Sequence, residues 1–317
     1  MPTNKFLFEI KKIKLESIDL SSNNLKSIES STFKGLTRLK NLNLHKNLLT
    51  SLEPKLFEGL GSLKTINLNG NQIESMDKLT FKSLNNLESL DLHNNKISNL
   101  NSHLFDGLSE LKSLNLADNS LKELETKHFS GLSKLEKLYL HGNEISNLDP
   151  ETLSSLQELR LLSLNENTLD NLDGSLFEKL NKLESLDLEN NKLDKIPSKL
   201  FNGLFELKEI NLRNNQIKSI DTETFHGLKK LEKVNLSSNS ISQIDNLLFD
   251  GLSELKRIDL SSNPIKQIET YVFQDLSSLV ELKLDFEILS SFDFNVLLYN
   301  FPNLDRKVFF NYNLNRF

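Results

Sequence analysis

Apolar and polar positions along this chain follow two superimposed periods. The longer is 24 residues: leucine returns at Leu15, Leu39 and Leu63, and at every such step through Leu279. The shorter has a period of two, at the end of each L-x-x-L-x-L segment, as in LESLDL from Leu87 to Leu92. That alternation predicts a short strand with one buried face. Parallel strands need a long crossover between them, which the rest of each repeat supplies. Counting from the first leucine, position 9 is Asn from Asn23 through Asn263. Its amide is suited to bond backbone groups left unpaired where the strand turns, so successive Asn residues are expected to stack as a ladder. Position 19 is Phe from Phe33 to Phe273, except at Leu153, and is expected to fill the outer side of the core. Glycine at position 21 (Gly35, Gly59, Gly107, Gly131, Gly203, Gly227, Gly251) predicts a residue at φ > 0 closing a short helical turn.

A strict period of this length marks one continuous solenoid rather than two globular domains. A single repeat buries too little to fold alone, so stacked neighbours must complete it and the ends must differ. Phe6, Phe8 and Ile10 alternate within residues 1–14, an expected N-terminal edge strand. The repeats occupy residues 15–285, about twelve of them. Beyond Leu284 the template decays: Glu287 replaces the Asn, Phe292 to Leu304 reads as a short amphipathic helix, and Val308, Phe310 and Asn313 as a degraded thirteenth strand. Residues 286–317 are expected to form an aromatic C-terminal cap.

The pattern L-x-x-L-x-L-x-x-N-x-L-x-x-L-x-x-x-x-F-x-G-L-x-x, carried from about residue 13 to 286, resembles the leucine-rich repeat family in its 24-residue "typical" type. The resemblance implies an α/β solenoid: a horseshoe with a parallel sheet on the concave side and an irregular or short-helical convex side. It implies a protein- or peptide-binding module, receptor- or scaffold-like, and an extracellular or cell-surface setting with a signal peptide and cysteine-rich caps.

Composition modifies this in a few places. The 317 residues carry a net charge of -6, with no Cys and no Trp. Without cysteine there are no disulfides, thiolate zinc sites or Cys nucleophile. The start, MPTNKFLFEIKKIK, lacks the uninterrupted apolar core of a secretory signal, which places the chain in the cytoplasm if Met1 is the true start. No window holds the ~18 apolar residues of a membrane span, so no transmembrane segment is expected. An acidic chain lacks the clustered Lys/Arg surface that phosphate contacts require, so no nucleic-acid partner is expected. Asn235-Leu236-Ser237 is the one glycan acceptor pattern.

The charges sort by position. Position 2 alternates in sign from Glu88 and Lys112 to Glu232 and Lys256. In a parallel in-register sheet such residues stack about 4.8 Å apart, so this column reads as a register-keeping ladder. Positions 3, 5, 7 and 8 project from the sheet. They are small and polar toward the N-terminus (Ser17, Asn43, Ser89) and more individual later. The candidate partner-binding residues are therefore Lys137, Tyr139, His141, Leu161, Asp187, Glu189, Glu209 and Arg213, expected as one patch about 15 Å across at ~4.8 Å per strand. Tyr and Arg are common interface anchors, and Arg can grip a carboxylate with two bonds. His45, His93 and His141 share position 7 and are expected as solvated surface histidines; convergence of His93, Asp118 and His141 on an ion is the lesser alternative.

No phosphate loop, nucleophile elbow or zincin helix is present. Asp187 and Glu189 have a glycosidase-like separation of ~7 Å but no pocket to raise either pKa. The chain is read as non-enzymatic, with no cofactor, no metal and no catalytic residue, binding an unidentified protein or peptide. The alternatives are a passive structural or assembly element and, less favoured, an enzyme of unrecognised type.

Overall fold

In the computed structural model, which describes residues 14–291 and 308–311, each L-x-x-L-x-L segment but the last contains a strand of only three residues. In β4 (Ser89–Asp91) the central leucine is buried and its neighbours half-buried. The strand therefore covers positions 3 to 5, and the flanking leucines at positions 1 and 6 belong to the turns. Leu87, Leu90 and Leu92 are each almost fully buried, so the three pack inward together.

The first compact unit comprises Met1–Ile145 with Glu151–Leu159, and the second Ser146–Pro150 with Arg160–Phe317. The first holds β1 (Ser17–Asp19), β2 (Asn41–Asn43), β3 (Thr65–Asn67), β4, β5 (Ser113–Asn115) and β6 (Lys137–Tyr139) in sequential order. The second holds β7 (Leu161–Ser163), β8 (Ser185–Asp187), β9 (Glu209–Asn211), β10 (Lys233–Asn235), β11 (Arg257–Asp259), β12 (Glu281–Asp285) and β13 (Val308–Asn311), also in order. The strands are parallel and pair at the repeat spacing, Ser89 with Ser113 and Ser185 with Glu209. Each unit is thus a stack of solenoid turns with little helix. A four-residue α1 (Thr126–Phe129) and short 3-10 turns such as Thr222–Phe225 lie between strands.

Asparagine builds the frame. The Asn95 amide donates to Leu92 O (2.9 Å) and His93 O (3.3 Å) in its own turn, and to Leu68 O (3.1 Å) in the turn before. Its Oδ1 accepts from Ile73 N at 3.0 Å. Asn191 repeats the arrangement in the second unit, on Leu188, Glu189, Leu164 and Leu169. The expected ladder is present in each unit.

Two further devices left no expectation in the sequence reading. Position 5 is usually Asp or Asn, and its carbonyl or carboxylate oxygen accepts from the backbone N–H of position 7, as Asp91 does from His93 (3.0 Å) and Asp187 from Glu189 (3.0 Å). Position 8 is left-handed, with φ of 52° at Asn94, 49° at Asp118 and 54° at Asn190. Six of the seven position-21 glycines have the expected positive φ; Gly131 does not, because α1 precedes it in place of the usual turn.

Behind the sheet the phenylalanines are fully buried and stack, Phe57 on Phe81 at 5.9 Å and Phe201 on Phe225 at 6.0 Å between ring centroids. In front, the position-2 charges pair as the alternation requires. Glu88 takes Lys64 (2.7 Å) and Lys112 (3.0 Å), whose hydrogen bonds hold its carboxyl down at about 2. Glu184 takes Lys208 (2.6 Å) and Arg160. Where alternation fails, at Lys40 and Lys64, the two turn away to Glu16 and Glu88.

At the far end position 7 is Asp285, where the two preceding turns carry Ser237 and Ser261. Its buried carboxylate accepts from Ser262 N (2.9 Å) and Asn263 N (3.1 Å), and burial pushes its pKa up. β12 runs on to five residues and pairs with β13, Leu282 opposite Val308. Val308 and Phe310 thus lie in a strand. The expected N-terminal edge strand, the 292–304 helix and Asn313 lie outside the described residues.

Candidate functional site

On the first unit, β6 presents Lys137, which is exposed, and Tyr139, which is half-exposed. His141 follows in the turn, half-exposed, with the Tyr139 ring edge-on to it at 6.4 Å between centroids. Tyr139 stands where Asp19, Asn43, Asn67, Asp91 and Asn115 stand in the other turns of this unit. Those five each accept a backbone hydrogen bond that closes their turn, and a phenol side chain is too long and too rigid to reach the same N–H. Here an exposed aromatic replaces a structural residue.

The same unit brings His93, Asp118 and His141 together. One nitrogen or oxygen from each lies within 4.8 Å of the others. The sequence expectation was of separate solvated histidines; in the structure the two rings lean toward each other, with centroids 6.3 Å apart. The sequence signal was present but faint: histidines two repeats apart at position 7, with Ala117 and Asp118 between them.

On the second unit, Leu161 is half-buried in β7, Asp187 half-buried in β8, and Glu209 exposed in β9. Asp187 is tied into its own turn through Glu189 N, which gives it the structural role shared by Asp and Asn at position 5. Glu189 Oε1 pairs with Arg213 Nη1 at 3.1 Å, and Glu189 Oε2 accepts from Asn211 Nδ2 at 2.8 Å. The guanidinium that the sequence offered to a partner's carboxylate already holds one. It remains more than half exposed, at 54 %, so its outer edge still faces solvent. Further along the same face Arg257 meets Glu281 (3.4 Å), and Lys283 meets Asp259 (3.6 Å) and Glu281 (3.1 Å). Charges on this face are largely matched to neighbours one turn away.

No helix among the described residues is long and apolar enough to cross a membrane. A cavity of about 410 Å³ lies at the end of the second unit, lined by Asn239, Asn263, Lys266, Asp285 and Glu287 among others. Asn239 and Asn263 belong to the Asn column and Asp285 accepts from Asn263 N, so these three lining residues are structural groups already bonded to backbone.

Known proteins give this geometry a context. The family model described as "Leucine rich repeat" matches residues 13–73, 62–121, 85–145, 109–169, 135–193, 157–217, 181–241 and 229–289. No curated protein sequence matches the chain. Among solved structures, the TLR13 chain of a TLR13–ssRNA13 complex is similar with a TM-score of 0.80 and 32% identity, over 89% of this chain and 41% of that one. This chain therefore spans about two fifths of that relative's length. A leucine-rich repeat protein of Leptospira interrogans is similar with a TM-score of 0.83 and 28% identity, over 96% of this chain and 74% of the other. An internalin of Listeria monocytogenes, at 23% identity and a TM-score of 0.68 over 94% of this chain and 87% of the other, shares the fold.

The first of these corrects one expectation. A chain built from similar repeats is seen in complex with single-stranded RNA, so a net charge of -6 does not exclude nucleic acid as a partner class. Net charge averages over the whole surface, whereas phosphate contacts depend on local clustering. With the repeat spacing, the three-residue parallel strands and the Asn column all on view, the matched segments leave one assignment: the chain belongs to the leucine-rich repeat family.

Proposed function

We propose that the chain is a non-enzymatic binding module that engages a protein or peptide through the exposed sheet face of its repeats. One observation carries this reading: Tyr139 occupies a position where its unit otherwise uses a turn-closing Asp or Asn, and it presents a half-exposed ring. A frame that only had to stack would keep the structural residue. Aromatic side chains bury a large area at low entropic cost and are enriched among interface anchors. On the first unit Lys137 and His141 flank this ring; on the second, the matching positions carry the apolar Leu161 and the charged Asp187, Glu189, Glu209 and Arg213.

The test is retention of partners by the intact chain, compared with Tyr139→Ala and, separately, Arg213→Ala. Each is expected to weaken binding of a retained partner by about 1 kcal/mol or more, while Ser17→Ala and Ser89→Ala leave it unchanged. Losses mapping to residues away from the sheet face would overturn the proposal, and a uniform lack of effect would favour a passive structural element.

A second reading has its own support. The likeness to TLR13 in complex with ssRNA13 favours single-stranded RNA as the alternative ligand. Fluorescence anisotropy of a labelled single-stranded oligoribonucleotide, read at two salt concentrations, separates the two: RNA binding through phosphates weakens steeply with salt. No binding at low salt removes this alternative.

A further inference from the structure

Two imidazoles that the repeat should hold apart stand close together. His93 and His141 occupy one position two turns apart, a spacing of ~9.6 Å at about 4.8 Å per strand. Their ring centroids are nevertheless only 6.3 Å apart. The intervening turn carries Ala117 at that position, buried and too small to separate the rings. The space is taken by the next residue, Asp118, which its left-handed backbone (φ 49°) brings round beside them.

Backbone pairing fixes the arrangement: Asn94 N donates to Ala117 O at 3.0 Å and Asp118 N to His141 O at 2.8 Å. Gly142 leaves room for the carboxylate, since a Cβ there would lie 2.0 Å from Asp118 Oδ1. Asp118 Oδ2 is 3.3 Å from His93 Nδ1. Yet that nitrogen, screened from water, makes no hydrogen bond, because the carboxylate lies off the line of its lone pair or proton. A shielded ring nitrogen without a partner is costly unless something takes up its lone pair.

We propose that His93, Asp118 and His141 bind one divalent transition-metal cation of the zinc type. Two imidazoles and one carboxylate suit zinc, copper or nickel, whereas calcium and magnesium prefer all-oxygen sets. The ligand atoms lie within 4.8 Å of one another. Tetrahedral zinc, with bonds of about 2.0–2.2 Å, needs them roughly 3.4 Å apart, which small side-chain rotations at a half-exposed surface supply. Three protein ligands leave the fourth coordination position to water or another ligand. His45 shows what the repeat gives without these features. It shares the position, but its Nδ1 is taken by Asn43 Oδ1 at 3.0 Å, and Gly70 stands where Asp118 would be.

Calorimetric titration of the untagged, chelator-treated full chain with zinc tests the proposal, with cobalt(II) absorption as the spectroscopic probe. One zinc is expected to bind per chain. His93→Ala, His141→Ala and Asp118→Asn should each weaken it at least tenfold, and Gly142→Ala should weaken it by displacing the carboxylate. Visible cobalt bands should appear in the parent chain and disappear in His141→Ala. His103→Ala, which removes a separate exposed histidine 3.0 Å from Asp106, should change nothing. Circular dichroism of each variant separates loss of the site from loss of the fold, and His93→Gln and His141→Asn serve where an alanine variant unfolds. The proposal is overturned if the parent chain takes up no zinc at millimolar concentration. It is equally overturned if folded His93 and His141 variants bind zinc as well as the parent.

Discussion

On the first unit the sheet face carries Ser17, Asn41, Thr65, Ser89, Ser113 and Lys137 at position 3, and its individual residues are Lys137, the histidines and Tyr139. On the second, the same position carries Leu161, Ser185, Glu209, Lys233, Arg257 and Glu281. The second face therefore looks richer in recognition chemistry, but its charges are bound to one another: Glu189 to Arg213, Arg257 to Glu281, Lys283 to Asp259. The first face looks plain, yet it holds a His–Asp–His cluster with a shielded, unbonded ring nitrogen. Abundance of charged residues is thus a poor guide to readiness for a ligand. What matters is whether a group is already satisfied by the neighbouring turn.

The two units share one frame, and the largest expected effect tests that. Asn191→Leu leaves the carbonyls of Leu164, Leu188 and Glu189 and the N–H of Leu169 without the amide that served them. Each buried group so stranded costs about 1–3 kcal/mol, so thermal unfolding should fall sharply. Asn95→Leu should produce a loss of the same size in the first unit, while Lys192→Ala changes little. Markedly unequal Asn losses would show that the units differ in frame and not only in face.

Acid should expose a weakness in the first unit. His128 is buried in α1, where its Nδ1 accepts from Glu125 N (2.8 Å) and its Nε2 meets Leu100 O (3.1 Å). That pairing defines a neutral ring, and burial lowers its pKa below the ordinary 6.5. The unfolded chain then binds the proton more readily, so stability is full above about pH 6.5 and declines as pH falls below it. His128→Leu, which installs the residue found at the equivalent Leu104, should remove that part of the decline in pH-dependent melting. An unchanged slope would refute the assignment.

The smallest effect concerns the second face. A double-mutant cycle on Glu189 and Arg213 should give a coupling of about 0–1 kcal/mol, as for other exposed ion pairs, and it should shrink in high salt. A coupling several-fold larger would mean that this pair is part of the frame and not available to a partner.

Much of this was legible in the sequence because repetition exposes what a position must do. Leu87, Leu90 and Leu92, Asn95 and Phe81 recur in register, and their roles follow from burial and hydrogen-bonding capacity alone. The Asp and Asn residues at position 5 recur almost as regularly. They escaped notice because exposed polar residues on a strand look like solvent-facing filler, whereas their oxygens close the following turn. The left-handed position 8 was hidden for another reason: Ser22, Lys46, Asn94 and Glu166 share that backbone without sharing a side-chain type. The His93–Asp118–His141 convergence depends on two small neighbours, Ala117 and Gly142, whose importance is steric and carries no chemical signature.

The Asn column also gives the stack a direction in time. Each Asn reaches back: Asn95 satisfies Leu68 O and Ile73 N of the turn made before it. A turn emerging from the ribosome is therefore incomplete until the residues of its successor arrive to finish it. Elongation and consolidation proceed together, always one repeat out of step. Such a chain cannot end on an ordinary repeat, because its last turn would wait for an Asn that never comes. Asp285, accepting from Ser262 N and Asn263 N, ties that last turn down through different backbone groups from those an Asn would serve.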